Sequence, residues 1–402
     1  MKTSTDHLLT THVGSLPRSA AVTLGVFAIE NDEPIDIEEH RREISSAVID
    51  VVGRQVEAGV DVVSDGEMSK LSYATYIKYR ITGFEGDSPR RAPADLEAYP
   101  SFMERQAAIG GTPTYSRPQC VGPIAVKDID PCHEDTANFR AAVDRHAPVD
   151  AFMNAASPGV IALFQPDAHY GDHEAYLYAL ADAMQTEYEA IVDAGFVLQL
   201  DSPDLGLGRH MMFKGQPDSE YERLARLHVE ALNHAVRNIN ADRMRLHICW
   251  GNYEGPHTHD APMAQVLPIA LAAKPQALLF EASNPRHAHE WATFADVEIP
   301  DDKILVPGVI DTTTHFVEHP ELIAQRIERF AGIVGRERVM AGTDCGFSTF
   351  AGYAGIDPEI AYAKLASLAE GAQLASDRLW YPGAEESHGA PSAFVDPPKI
   401  IT

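Results

Sequence analysis

Arg245-Leu-His247-Ile-Cys249-Trp250-Gly251-Asn252-Tyr253-Glu254 is an apolar, strand-like run that closes on turn formers and carries a histidine and a cysteine two positions apart. In a strand, residues i and i+2 point to the same face, so His247 and Cys249 can present an imidazole and a thiol side by side. Gly251 and Asn252 mark the strand's end. In folds that wrap parallel strands with helices, that end is where the chemistry collects. Taken alone, the pair reads more simply as two core residues sharing a face, because free cysteine is often just a small buried hydrophobe. Two later strand ends change this reading: Leu279-Phe280-Glu281 and Ala341-Gly342-Thr343-Asp344-Cys345-Gly346 each bring one further metal-ligating side chain.

The flanking chain alternates strand and helix. Residues 8–16 read as a first strand, broken at Gly14-Ser15 and then by Pro17-Arg18; a Gly-Ser turn there offers N–H groups and a hydroxyl to a small anion. Helical periodicity over 37–58 leads into a second strand, Val60 onward, that ends in Asp65-Gly66-Glu67. The Gly, Pro, Arg and acid-rich stretch 83–118 lacks periodicity and predicts a long excursion over the active end. Strands follow at 118–126, at 159–164 and at 196–200, the last ending in Asp201-Ser202-Pro203-Asp204, with helices at 173–194 and 218–239. Beyond the quoted stretch come helix 261–273, strand 277–281, strand 304–310 ending in Asp311-Thr312-Thr313-Thr314-His315, helix 318–334, strand 338–342 and helix 357–375. Nine candidate strands for eight places leave one surplus, and 159–164 is set aside. The order predicts an α/β fold, a single-domain (β/α)8 TIM barrel over residues 1–382 with a long insertion near its mouth. Residues 383–402, rich in Gly, Pro and Ser, predict a poorly ordered tail. No repeat of 20–50 residues is visible.

Composition narrows the function. At 402 residues, 45% hydrophobic and 23% charged, the chain has ample core, and no apolar run reaches the ~20 residues that span a bilayer. No membrane partner is expected. A net charge of −27 and a pI near 4.9 exclude a nucleic-acid partner, which needs a basic face. Met1-Lys2-Thr3-Ser4-Thr5-Asp6-His7 has no basic patch followed by an apolar segment, so a cytoplasmic protein is expected. Four scattered cysteines do not make a disulfide framework. The sequence leaves open whether the chain is a monomer or a homo-oligomer.

His247, Cys249, Glu281 and Cys345 arrive from three strand ends, and one imidazole, two thiolates and a carboxylate suit Zn2+ rather than Mg2+ or Ca2+. Such an electron-rich site is a poor Lewis acid for hydrolysis but lowers the pKa of a substrate thiol from its free ~8.5 and leaves the sulfur nucleophilic. The chemistry expected is transfer of a methyl or larger alkyl group to a small thiol.

These motifs resemble the zinc motifs of the catalytic half of cobalamin-independent methionine synthase, over essentially the whole chain from His12-Val-Gly-Ser15 to about residue 380. The resemblance implies that Gly14 and Ser15 hold an amino-acid carboxylate and that Glu67 and Asp201 clasp an ammonium. Cys249-Trp-Gly-Asn-Tyr-Glu-Gly-Pro256 and Gly308-Val-Ile-Asp-Thr-Thr-Thr314 are also similar to the branch that includes epoxyalkane:coenzyme M transferases. Two positions depart from the pattern. Asp201-Ser202-Pro203 replaces Asp-Glu-Pro, and Thr313 stands where the family has its proton-donating histidine, with His315 nearby as the candidate substitute. The resemblance therefore implies a zinc-dependent transferase acting on homocysteine, with a donor less demanding of that acid than folate. Arg18, Lys70 and Lys78 keep coenzyme M as the alternative acceptor, and a non-catalytic zinc protein is the alternative from another class.

Overall fold

Nine strands run along the chain as β1 (Val62–Val63), β2 (Phe84–Glu85), β3 (Gln119–Cys120), β4 (Asp150–Ala156), β5 (Val197–Asp201), β6 (Met244–His247), β7 (Ala277–Phe280), β8 (Ile304–Ile310) and β9 (Gly342–Thr343). The structure is a computed structural model describing residues 1–89, 92–108, 115–353 and 355–382, and counts refer to those residues. β1, β4, β5, β6, β7, β8 and β9 pair in that order into one parallel sheet, while β2 and β3 form a separate antiparallel ribbon. The sheet curls into a half-barrel. Residues 9–11 reach both of its edges: Thr11 bridges Val62, Thr10 bridges Ala341, and the Thr11 N–H donates to the Ala341 carbonyl at 2.8 Å.

Helices cover the outer face of the sheet, and three of the longest are started by a side chain that takes free N–H groups. Asp36 caps Ile37–Glu57, Asp172 caps His173–Asp193 and Asp357 caps Pro358–Trp380. Each cap stabilises its helix by about 1 kcal/mol. The inner face follows the strand period of two. Phe152, Val197, Ala277, Leu279, Ile304 and Val306 form an apolar layer with Leu9, Val13, Val62 and Met340. Asn154 and Gln199 lie two residues further along β4 and β5, and Asp201 two further still; on β6 the same face carries Arg245 and then His247.

Arg245 is buried in this polar layer, its Cζ 3.4 Å from the centre of the Phe152 ring. It donates to Gln199 Oε1 at 2.7 Å, Thr11 Oγ1 at 2.9 Å and the His12 carbonyl at 2.6 Å. Burial lowers its pKa to about 9. The guanidinium thus ties the first segment of the chain to β5 and β6.

Several sequence expectations are corrected. Residues 159–164 are not a strand: Pro158–Phe164 is a helix, with Ser157 accepting from the Val160 N–H and Pro158 at its start. The stretch 118–126 contributes only β3, outside the main sheet. Its place is taken by β4, which pairs with both β1 and β5. Residues 8–16 make bridges rather than a regular strand. Cys249 lies beyond the end of β6, although the Ile248 N–H still donates to the Leu279 carbonyl at 3.0 Å and keeps the segment in register. Helices Ala20–Glu30 and Asp130–His146 were not anticipated. The excursion 83–118 contains helices Ala94–Glu97 and Pro100–Ala108 in its described part, and Ala92, Pro93, Leu96, Met103, Gln106 and Arg117 line the mouth. The tail 383–402 lies outside the described residues. Among the described residues no helix is long and apolar enough to cross a membrane.

Candidate active site

His247 ends β6, Cys249 follows two residues later, and Cys345 follows β9. Their ligating atoms lie within 4.8 Å of one another, and all three side chains are buried. Neither ring nitrogen of His247 has a hydrogen-bond partner among the described residues. A buried polar atom left so costs about 1–3 kcal/mol unless something binds it. Burial lowers the His247 pKa, favouring the neutral imidazole that ligates metals. A hydrogen bond from Cys345 holds the Cys249 thiol below its usual value, and the same bond, with burial, pushes Cys345 well up. Two thiols and an unpartnered imidazole are a donor set that fits zinc.

Glu281 is not among the three clustered groups. Its Oε1 accepts from the Trp250 N–H at 2.7 Å and its Oε2 from Asn284 Nδ2 at 2.6 Å, and burial pushes its pKa up to about 7. Asp344, beside Cys345, accepts the N–H groups of Ala282, Ser283 and Asn284 at 2.8, 3.0 and 2.9 Å. These bonds lock the loop carrying Cys345 to the one carrying Glu281.

A second group of residues faces the same cavity. Asp201 at the end of β5 is paired in register with His247 on β6. Its oxygens accept from Asn154 Nδ2 at 2.9 Å and Gln199 Nε2 at 2.8 Å. Glu67 sits in a left-handed turn, with φ +68° at Gly66 and +58° at Glu67. The turn is held by Arg18, which donates from Nε and Nη2 to the Glu67 carbonyl at 3.1 and 2.7 Å. Glu67 Oε2 is buried without a partner among the described residues. Burial first, then the Asp201 charge, push the Glu67 pKa up to about 8 against the opposing pull of Lys70; Asp201 is also raised, chiefly by burial. Two carboxylates that disfavour each other's charge make a place for a cation.

Ser15 lines this cavity. Gly14 does not, and its N–H already donates to His12 Nδ1 at 3.1 Å. Its part is steric: at φ +133°, a Cβ there would stand 2.2 Å from Asn154 Oδ1.

The cavity measures about 880 Å³ and contains His247, Cys249, Cys345, Glu67, Asp201 and Ser15 in its lining. Tyr73, Phe164, Tyr253, Phe350 and Tyr353 supply aromatic walls. The loop after Cys249 is braced from behind, where His210, His257 and His287 converge on Asp260 at 3.2, 3.0 and 3.0 Å. The His257 and His287 rings stack on Tyr253 and Trp250. Burial opposes protonation of these two rings, but the bonds to Asp260 prevail and raise them to about 9 and 10.

His315 does not reach the cavity. It is exposed, and its Nε2 accepts from the Asp357 N–H at 3.3 Å. Thr313 donates its hydroxyl to Asp311 Oδ1 at 2.8 Å. The cations weighed for a sulfonate are engaged elsewhere: Arg18 on the Glu67 and Ser348 carbonyls, Lys70 on the Asn154 carbonyl at 2.6 Å, and Lys78 on Glu30. None of the three lines the cavity. Asn154 and Gln199, which aim Asp201, were not found from the sequence; an amide inside an otherwise apolar strand, and another two residues before Asp201, were the available signals.

A model of the "Cobalamin-independent synthase, Catalytic domain" family matches residues 8–130 and 163–358, which include Gly14, Ser15, Glu67, Asp201, His247, Cys249, Glu281 and Cys345. A methionine synthase of Saccharolobus solfataricus is 26% identical over 378 residues, 92% of this chain and 96% of that protein. One from Sulfurisphaera tokodaii is 23% identical over 375 residues, 92% of this chain and 94% of its own. Among solved structures, a B12-independent methionine synthase from Shewanella sp. W3-18-1, in complex with selenomethionine, superposes with a TM-score of 0.70 at 18% identity, covering 93% of this chain and 99% of that one. With the family model spanning most of its length, the chain belongs to the cobalamin-independent methionine synthase family.

Proposed function

We propose that this protein transfers a methyl group to the thiol of homocysteine, at a zinc ion held by His247, Cys249, Cys345 and Glu281. The observation that carries the reading is the meeting in one cavity of three buried ligand atoms within 4.8 Å and two carboxylates, Glu67 and Asp201, whose oxygens form no ion pair with a Lys or Arg among the described residues. The names of the relatives, methionine synthases, support the same acceptor. The reading takes residues 1–382 as one catalytic unit and the segment 8–13 as the eighth stave of a closed (β/α)8 barrel, supported by its bridges to β1 and to Ala341.

Zinc, when bound, supplies the positive charge that lowers the thiol's pKa while thiolate ligands keep the sulfur nucleophilic. The chain's own residues do the rest. Glu67 and Asp201 take the ammonium, and Ser15, backed by Gly346, faces the carboxylate. A sulfur–carbon bond forms as the bond from methyl to donor breaks; the electron pair leaves with the donor, and the thiol proton passes to the departing donor or to water. Thr313, committed to Asp311, supplies no proton to a poor leaving group.

The test incubates zinc-loaded protein with homocysteine and either methylcobalamin or methyltetrahydrofolate and follows methionine. Methionine from methylcobalamin, with little from the folate, is expected. No methionine from either donor would overturn the reading.

A further inference from the structure

The cavity is too large and too apolar for an amino-acid thiol alone, since pockets of roughly 300–1,000 Å³ enclose drug-sized molecules. Its walls run in a definite direction. Tyr73 lines the cavity together with Cys249, Cys345 and Asp201, which mark the thiol end. From Tyr73 the rings of Phe164 and Phe350 each lie 5.9 Å away, and Tyr115 lies 5.7 Å beyond Phe350. One ring further on from Tyr73 is Arg117, its guanidinium 5.3 Å from the Phe164 ring centre and 5.4 Å from that of Tyr115.

Arg117 is the one Lys or Arg among the described residues lining the cavity. Its backbone is pinned, the N–H donating to Asp87 Oδ1 at 2.8 Å and the carbonyl accepting from Ser88 at 2.7 Å. Its side chain makes no hydrogen bond or ion pair among the described residues, and its Nε is buried without a partner. In a chain of net charge −27, a guanidinium facing a cavity with no carboxylate on it calls for an anion from outside. It stands where the large cavity meets a smaller one of about 180 Å³, so a terminal group has room there. Asp167 also lines that smaller space, but its oxygens accept the N–H groups of His169, Tyr170 and Gly171.

Resting on the proposed transfer, we propose that Arg117 binds an anionic group, carboxylate or phosphate, at the far end of the methyl donor, whose flat body lies along Tyr73, Phe164 and Phe350. The acceptor thiol and the donor then occupy opposite ends of one cavity: an ammonium-seeking floor and an anion-seeking outer wall.

Calorimetric titration of the zinc-loaded full chain tests this with biphenyl-4-carboxylate, biphenyl-4-phosphonate and the neutral biphenyl-4-carboxamide. The wild type should bind at least one anion about tenfold or more tighter than the amide, as a charge-assisted bidentate contact implies, and the stronger of the two identifies the group. Arg117→Met should erase the preference and Arg117→Lys retain part of it, with homocysteine affinity within about twofold in both, which also shows that the variants fold. Equal binding of anions and amide, no anion binding, a preference intact in Arg117→Met, or a loss of homocysteine binding on that substitution would each overturn the assignment. An anion preference governed by Arg117 in a protein that ignores homocysteine would overturn the proposed acceptor and leave the Arg117 site standing.

Discussion

Asn154 donates from Nδ2 to Asp201 Oδ2 at 2.9 Å across the β4–β5 pair, and with Gln199 it fixes both oxygens of a carboxylate buried at the floor of the cavity. Amides orient Asp201 without neutralising it. An ammonium arriving beside it gains a charge-assisted bond in a dry site, so Asp201→Asn should weaken homocysteine binding by roughly 2 kcal/mol or more. Binding of 4-mercaptobutyrate, which lacks the amino group, should change little. Calorimetry with both thiols checks this, and equal losses for the two would mean that Asp201 acts on the fold rather than on the ammonium.

Glu67 makes the amine site pH-dependent. Its pKa in the ligand-free protein stands at about 8, raised by burial and by Asp201 and Asp65 against Lys70 and Arg18. Below that pH the carboxyl is largely protonated and must release a proton when it receives an ammonium. Affinity therefore rises with pH, by up to about tenfold per unit, between pH 6 and 8, and levels off above. Norleucine, whose side chain has no sulfur, isolates this effect from the thiol and the metal. A flat profile in the wild type, or an unchanged slope in Glu67→Gln, would contradict it.

The same raised pKa costs stability. A carboxyl easier to protonate folded than unfolded destabilises the native state once pH exceeds its unfolded value of 4.5, and the cost grows until pH passes about 8. Glu67→Gln, which keeps the side chain's shape, should melt at a higher temperature than wild type above pH 5, with the gap widening to pH 8 and then constant. The exchange of stability for binding is common at functional sites. Calorimetric melting across that range would refute it by showing no gap at pH 8.

How much of this could be read from the residues depends on the range of the interaction. Spacing two along a strand placed His247 beside Cys249, and a cysteine just past a strand end brought Cys345 to them. β5, β7 and β8 were legible because their runs are apolar and bounded by turn signals. β4 was not: Asp150-Ala-Phe-Met-Asn-Ala-Ala is poor in the β-branched residues that mark strands. Residues 158–164 misled in the opposite direction, since Val-Ile-Ala-Leu-Phe has a strand's composition while the helix start was written in Ser157-Pro158. His315 looked close to the site by number, but the loop after β8 carries it outward to Asp357. The aim of Asp201 by Asn154, the left-handed turn at Glu67 and the unpaired Arg117 all depend on contacts between distant segments, which spacing does not encode.

Because His315 lies outside the cavity, His315→Ala should leave methyl-transfer rates within about twofold of wild type, as surface substitutions usually do. A loss beyond about tenfold, in steady-state assay with saturating homocysteine, would show that its loop closes over the site during turnover.

The cluster of His247, Cys249 and Cys345 is the centre of the account, and zinc K-edge absorption with and without homocysteine tests it most directly. The protein should bind one zinc with two sulfurs near 2.3 Å and one imidazole nitrogen, and homocysteine should add a third sulfur. Cys249→Ala and Cys345→Ala should each lose the metal while keeping the wild-type circular dichroism, because the apolar core does not depend on it. A zinc signal whose sulfur count does not change on adding homocysteine, or that survives loss of either cysteine, would contradict thiol activation at this site.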